Sequence, residues 1–319
     1  MKAVLLMAYG SPERPDEVEA YYTHIRGGRV PSREAVQRLQ KRYEIVGGRT
    51  PLLDITTDVA RALERSLSGS EEATTDSDPV RVYVGMKHWH PFIADVVPRM
   101  VADGVTEMVA IALAPHYSKM SVGGYQNAVR DAVARMAGAA IDVSFVDSWH
   151  LHPQFVELIA ARVRDALELW PRLTRDKVVT VFSAHSLPVR IRDWNDPYER
   201  QLLESCHAVA ARVGLDNWRF AWQSAGETGE PWLGPDICDV IETLHRDGAR
   251  NVLSVPIGFV SDHLEIFYDI DHEARRRAEA LGMTLRRTAM PNADPAFVRL
   301  LAALVTETRK PAVGRAWAS

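Results

Sequence analysis

A histidine in Ser183-Ala184-His185-Ser186-Leu187-Pro188 and a carboxylate in Gly258-Phe259-Val260-Ser261-Asp262-His263-Leu264-Glu265 stand out as a reactive pair. An imidazole set against a carboxylate can hold a divalent metal or move protons, and few other side-chain pairs do both near neutral pH. Beyond Glu265 stand Asp269 and Glu273, so carboxylates recur at four-residue steps. On an α-helix these lie along one stripe. Like charges there cost a few tenths of a kcal/mol per pair, unless a cation or a water-filled channel compensates them. A structural reading stands beside the chemical one. Asp262 and Glu265 have the N-cap to N3 spacing of a capping box, Glu273 suits a solvated helix face, and His185 suits a hydrogen-bonded, partly buried ring.

Other rings fall at comparable places. Lys87-His88-Trp89-His90-Pro91 offers His88 and His90, but in extended chain their rings point to opposite faces, which disfavours joint metal ligation. Ala114-Pro115-His116-Tyr117-Ser118 and Ala8-Tyr9-Gly10-Ser11-Pro12 follow apolar runs in the same way. Tyr9, His88, His116, His185, Trp222 and Glu265 are thus rings and metal-compatible groups without a nest of glycines. A flat aromatic ligand with a metal ion suits them better than a phosphate. No G-x-S-x-G elbow, G-x-G-x-x-G fingerprint or P-loop occurs.

The elements that carry these residues alternate. Strand-like runs fall at Lys2–Ala8, Val80–Met86, Glu107–Leu113 and Asp142–Asp147, then at Val178–Ser183, Trp218–Trp222, Asn251–Ile257 and Thr284–Arg287. Helical stretches lie between them. Among these, Pro15–Arg26 ends at Gly27-Gly28, Ser32–Val46 ends at Gly47-Gly48, and Pro153–Leu169 ends before Pro171. This alternation predicts an α/β fold of two doubly wound domains, 1–148 and 149–319, each with a four-stranded parallel sheet. Reactive residues would then leave the carboxyl ends of strands, where open α/β sheets bind ligands. A faint repeat relates the Tyr9 turn to the His185 turn, so the two rings could face each other across an interdomain cleft. Ser66–Asp78 reads as a polar surface loop and Lys310–Ser319 as a frayed tail.

Composition bounds the function. The 319 residues are 46% hydrophobic and 25% charged with net charge -4, typical of a globular protein and without the basic stripe of a nucleic-acid binder. Two cysteines imply no disulfide framework and cannot supply the four thiolates of an all-cysteine iron–sulfur cluster. No apolar run reaches membrane-spanning length, and the N-terminus reads as a first strand, so a cytoplasmic protein is expected.

Taken in order, these segments resemble ferrochelatases, most closely the soluble bacterial coproporphyrin ferrochelatases. Met7 to Pro12, Tyr21 to Arg26, Arg42-Tyr43-Glu44, Gly85 to His88, Ala114 to Ser118 and Ser183 to Pro188 carry the resemblance. Trp222-Gln223-Ser224, Pro231 to Pro235, Pro256 to Glu265 and Met290-Pro291-Asn292 complete it over nearly the whole chain. The resemblance implies two Rossmann-like domains around a porphyrin cleft and insertion of ferrous iron, as a substrate, into a free-base porphyrin. It places iron handling on His185 and Glu265, and product-iron ligation on Tyr9. Porphyrin contacts fall on Tyr9, Arg26, Arg42, Tyr43, Thr50 and Tyr125, and a proton or cation relay on Asp269 and Glu273. Thr50 stands where a serine is common, and His90 where many members carry an acid. The lack of an apolar lip and C-terminal extension favours coproporphyrin III over protoporphyrin IX. The expected protein is a monomer without a resident cofactor, a nucleic-acid partner or membrane insertion, touching neighbouring haem-pathway enzymes at most transiently. A non-catalytic tetrapyrrole carrier, and a cobalt or nickel chelatase of related fold, are the rival readings.

Overall fold

The structure, a computed structural model, describes residues 1–69, 80–136 and 141–309. The first sheet is built from β1 (Lys2–Ala8), β2 (Arg81–Met86), β3 (Glu107–Ala112) and β4 (Asp142–Val146). The second is built from β5 (Val178–His185), β6 (Trp218–Gln223), β7 (Asn251–Val255) and β8 (Thr284–Arg287). All pairings are parallel. The two orders, β2-β1-β3-β4 and β6-β5-β7-β8, are the same topology repeated. In this order the connections diverge between β1 and β3, and again between β5 and β7, and that switch point is where such sheets leave a crevice. The strands depart from the sequence expectation only at their ends. β5 runs on to His185 because that residue pairs in register with Gln223, and β7 stops at Val255 because Pro256 has no N–H for the ladder.

The helices are α1 (Val18–Ile25), α2 (Arg33–Ile45), α3 (Leu52–Ser68), α4 (Ile93–Ala102), α5 (Val122–Ala134), α6 (Pro153–Leu167), α7 (Arg172–Arg175), α8 (Tyr198–Val213), α9 (Ile237–Arg246), α10 (Arg275–Ala280) and α11 (Pro295–Arg309). Ser32 caps α2 through a bond from Ala35 N, as its residue type predicts. The polar stretch expected to begin at Ser66 starts inside α3; its residues from 70 on, and the tail 310–319, lie outside the described residues.

Both central strands, β1 and β5, are buried along nearly their whole length, as parallel strands covered on both faces must be. One continuous apolar core joins the two sheets. It runs from Val4 and Leu6 of β1 through α3, α6, α8 and α11 to Phe182 of β5 and Val255 of β7. The last helix, α11, packs on α3, β3 and β4 of the first sheet as well as on α6. Separate cores close the outer faces, with α4 and α5 on the first sheet and α9 and α10 on the second. The shared core fixes the two sets of strand ends relative to each other. No helix among the described residues is long and apolar enough to cross a membrane.

Candidate functional site

The carboxyl ends of both sheets open onto one cleft of about 690 Å³. Its first wall carries Tyr9 after β1, Lys87 and His88 after β2, and His116 after β3. Its second wall carries His185 at the end of β5 and Gly258 to Ser261, His263 and Glu265 after β7. Each reactive residue therefore leaves a strand end at or beside a switch point.

Tyr9 is held by the turn beneath it. Gly10 has φ +95, and a Cβ there would lie 2.8 Å from Trp89 N, so only glycine fits. Ser11 is fixed by Thr50, whose hydroxyl donates to it at 2.8 Å, and by a 2.9 Å bond to the Tyr43 hydroxyl. The Tyr21 hydroxyl donates to Gly10 O. Tyr9 keeps 38% of its surface exposed to the open cleft, and desolvation by the surrounding walls, then the charge of Glu265, push its phenol pKa up.

His185 is oriented by its own loop. Nδ1 lies 2.6 Å from Ser186 O, and a carbonyl only accepts, so Nδ1 carries the proton and Nε2 presents a lone pair. His263 is held alike, Nδ1 donating to Ser261 O at 2.8 Å, while its Nε2 meets Glu265 Oε2 at 3.1 Å. His263 and Glu265 thus form one imidazole–carboxylate pair on the cleft wall. Glu265 is no capping-box member. Asp262 instead accepts from Asn292 Nδ2 at 2.7 Å and pairs with Arg287 at 3.2 Å.

The acidic ladder does not ride on a regular α-helix. Residues Ile266–Ala274 form a π-helix, a form that is rare and concentrated at functional sites. Glu265 lines the cleft, Asp269 is buried at 5% exposure, and Glu273 is exposed, so the three descend from the site to the surface. The Ser224 hydroxyl donates to Asp269, and Arg42 pairs with it at 3.6 Å while its guanidinium stacks on Tyr268. Burial pushes the Asp269 carboxyl up to about 7, against the pull of Ser224 and Arg42 and with the help of the Glu265 and Glu273 charges. The folded chain thus keeps a proton that the unfolded chain releases in the ordinary carboxylate range. The group contributes stability at low pH that is lost as pH rises to about 7. Asp269→Asn is expected to flatten this descent, which can reach about 1.4 kcal/mol per pH unit, as read from urea denaturation at stepped pH.

Of the residues singled out from sequence, Tyr9, Tyr125, His185 and Glu265 line the cleft together. Tyr43 and Thr50 lie buried beneath the Tyr9 turn with their hydroxyls spent on Ser11, and Arg42 serves Asp269. Arg26 caps α1 with its guanidinium 5.8 Å from the Tyr22 ring. His88 meets His24 at 3.2 Å and the Tyr9 ring at 4.5 Å, whereas His90 meets Phe92 edge-on; β2 ends at Met86, so it is the bend after the strand, not the alternation of an extended chain, that separates His88 from His90. Burial, then the Lys87 and His24 charges, push His88 down to about 3.

Residues given no role from sequence also line the cleft: Arg29, Lys87, Arg190, Trp232, Phe259 and His263. The strand-end rule that selected His88 would equally have selected Lys87. Burial lowers its ammonium to about 8, and it lies 5.2 Å from the Tyr125 ring centre. Arg29 and Arg190 sit on loops and helix ends with no periodic signal to betray them.

Comparison with known proteins agrees with this geometry. Residues 1–309 match the ferrochelatase family. A ferrochelatase of Herpetosiphon aurantiacus is 49% identical over 304 residues, covering 95% of this chain and 98% of that protein. A coproporphyrin III ferrochelatase of Bacillus subtilis is 40% identical over 303 residues, covering 95% of this chain and 96% of that one. Among solved structures, SirB from Bacillus subtilis with Fe3+ shares the fold at TM-score 0.60 and 12% identity, covering 96% of this chain and 95% of that one.

Proposed function

The chain belongs to the ferrochelatase family, and from that premise we propose that it inserts ferrous iron specifically into coproporphyrin III, forming coproheme and releasing two protons. The observation that carries the mechanism is the convergence of His185 and Glu265 on one cleft wall opposite Tyr9. Metallation requires iron to shed water and two pyrrole N–H protons to leave. His185 Nε2, with its lone pair set by the Nδ1–Ser186 bond, coordinates iron or takes a pyrrole proton. Glu265 supplies the anionic partner, oriented by its 3.1 Å contact with His263. Asp269, tuned to about 7, passes protons or hydrated cations to the exposed Glu273. Tyr9 and Tyr125 face the porphyrin, and Tyr9 meets the product iron. Tyr43, Thr50 and Arg42 act one step back, through Ser11 and Asp269.

Coproporphyrin III bears four propionates, and the cleft walls carry Arg29 and Lys87, together with Arg190, which ion-pairs at 3.3 Å with Glu230 of the same lining. These, with the Bacillus subtilis relative, support the polar substrate. Protoporphyrin IX is the second reading, because the Herpetosiphon relative is described only as a ferrochelatase. Anaerobic loss of free-base porphyrin absorption on adding ferrous iron tests both. The expected kcat/KM favours coproporphyrin III by at least about tenfold, or about 1.4 kcal/mol in the transition state. An equal or reversed ratio overturns the coproporphyrin assignment. Haem binding with no turnover of either porphyrin would instead support a carrier.

A further inference from the structure

We infer that Arg287 is a positioning residue for iron insertion, bracing the loop and the π-helix on either side of Glu265. The inference rests on the iron-handling role of Glu265 proposed above. Arg287 is the last residue of β8, a strand that among the described residues pairs only with β7, and its side chain is 13% exposed. Its Nε and one terminal nitrogen fork onto Asp271 of the π-helix at 3.1 and 2.9 Å. That same nitrogen ion-pairs with Asp262 at 3.2 Å, and the other terminal nitrogen donates to Thr288 O at 3.0 Å. One guanidinium therefore joins three positions: a sheet edge, the loop three residues before Glu265, and the π-helix two residues after Asp269.

Both carboxylates are held from a second side too. Asp262 exchanges two bonds with Asn292, from its own N–H at 2.8 Å and to its carboxylate at 2.7 Å. Asp271 also accepts from Arg275 at 3.0 Å. Neither Asn292 nor Arg275 connects the two carboxylates; among the described residues Arg287 alone bonds both. A π-helix has poorer intrinsic stability than an α-helix and needs such outside support. Without the guanidinium, two partly buried carboxylates lose the charge between them, and the segment they flank is free to shift. Planar, bidentate geometry makes arginine the suitable residue and lysine only a partial substitute.

The test compares Arg287→Met and Arg287→Lys with the unaltered protein in the iron-insertion assay, together with porphyrin affinity by fluorescence quenching. Arg287→Met is expected to raise KM for ferrous iron by about tenfold or more, as loss of outer-shell supports typically does, with porphyrin affinity within about twofold. Arg287→Lys should fall between the two. A purely structural role predicts otherwise: a lower melting temperature and less folded protein, but an unchanged KM for iron in what remains folded. That result, or wild-type values throughout, overturns the inference. Should Arg287→Met not fold, Asp271→Asn, which removes the fork but keeps the Asp262 pair, is expected to show the same rise in KM, and an unchanged KM overturns the proposal. Failure of the unaltered protein to insert iron would instead refute the functional reading on which the inference stands.

Discussion

His185→Ala is expected to lower iron insertion by at least about a hundredfold while leaving porphyrin binding within a few-fold, the range expected when a group that moves protons in the transition state is lost. The ring stands at the end of β5, with its Nδ1 committed to Ser186 O, so its cleft-facing nitrogen has no substitute at that position. Its packing explains why the effect should be specific. His185 meets Trp232 and Phe259 only at ring distances of 6.3 and 6.5 Å, so removing it opens little of the core. Stopped-flow loss of free-base absorption gives turnover, and fluorescence quenching gives porphyrin affinity. Normal insertion by the alanine variant would refute the assignment of His185. If both affinity and turnover fell together, His185 would be a porphyrin contact and not an iron-handling group.

The second large effect is expected at Gly258, where the loop after β7 crosses the end of β5. A Cβ on this glycine would lie 2.6 Å from Ala184 Cβ and 3.0 Å from Ala184 Cα, the residue next to His185. Neither atom belongs to a flexible side-chain end, so the strand or the loop must move. Gly258→Ala is expected to cost about 1–3 kcal/mol in stability as an overpacked site. It should reduce iron insertion further than unfolding accounts for, because the displaced loop leads to His263 and Glu265. Ala184→Gly removes the opposing methyl, so the double variant Ala184→Gly/Gly258→Ala should recover much of both losses. Thermal denaturation and turnover on the four members of this cycle measure the coupling. Additive losses would show that the close approach is not what Gly258 provides.

Much of the fold was legible because parallel strands buried on both faces write themselves as continuous apolar runs. All eight strands lie where Lys2–Ala8 and its counterparts predicted, and the helix stops at Gly27-Gly28 and Gly47-Gly48 hold. The strand-end rule gathered Tyr9, His88, His116, His185 and Glu265 on one cleft before any distance was known, but it also selected Trp222, which is buried against Tyr198 and Phe220 instead. Roles that depend on side-chain direction were less legible. Arg42 has the guanidinium to meet a propionate, yet it turns to Asp269 and Tyr268. Tyr43 and Thr50 carry suitable hydroxyls, yet spend them on Ser11. Asp262 has capping spacing, yet Arg287 and Asn292 claim it.

From composition and pattern alone came the two parallel sheets, the strand ends as the reactive edge, and the residue types that favour a metal with a flat ligand. These depend on local periodicity and on the chirality of crossovers, which neighbouring residues encode. Tertiary structure alone decided the π-helix over Ile266–Ala274, the burial that brings Asp269 to about 7, the pairing of His263 with Glu265, and the Arg287 brace. Each of these depends on groups brought together from different elements in a low-dielectric interior. There, desolvation and partner geometry outweigh any preference that the local sequence carries.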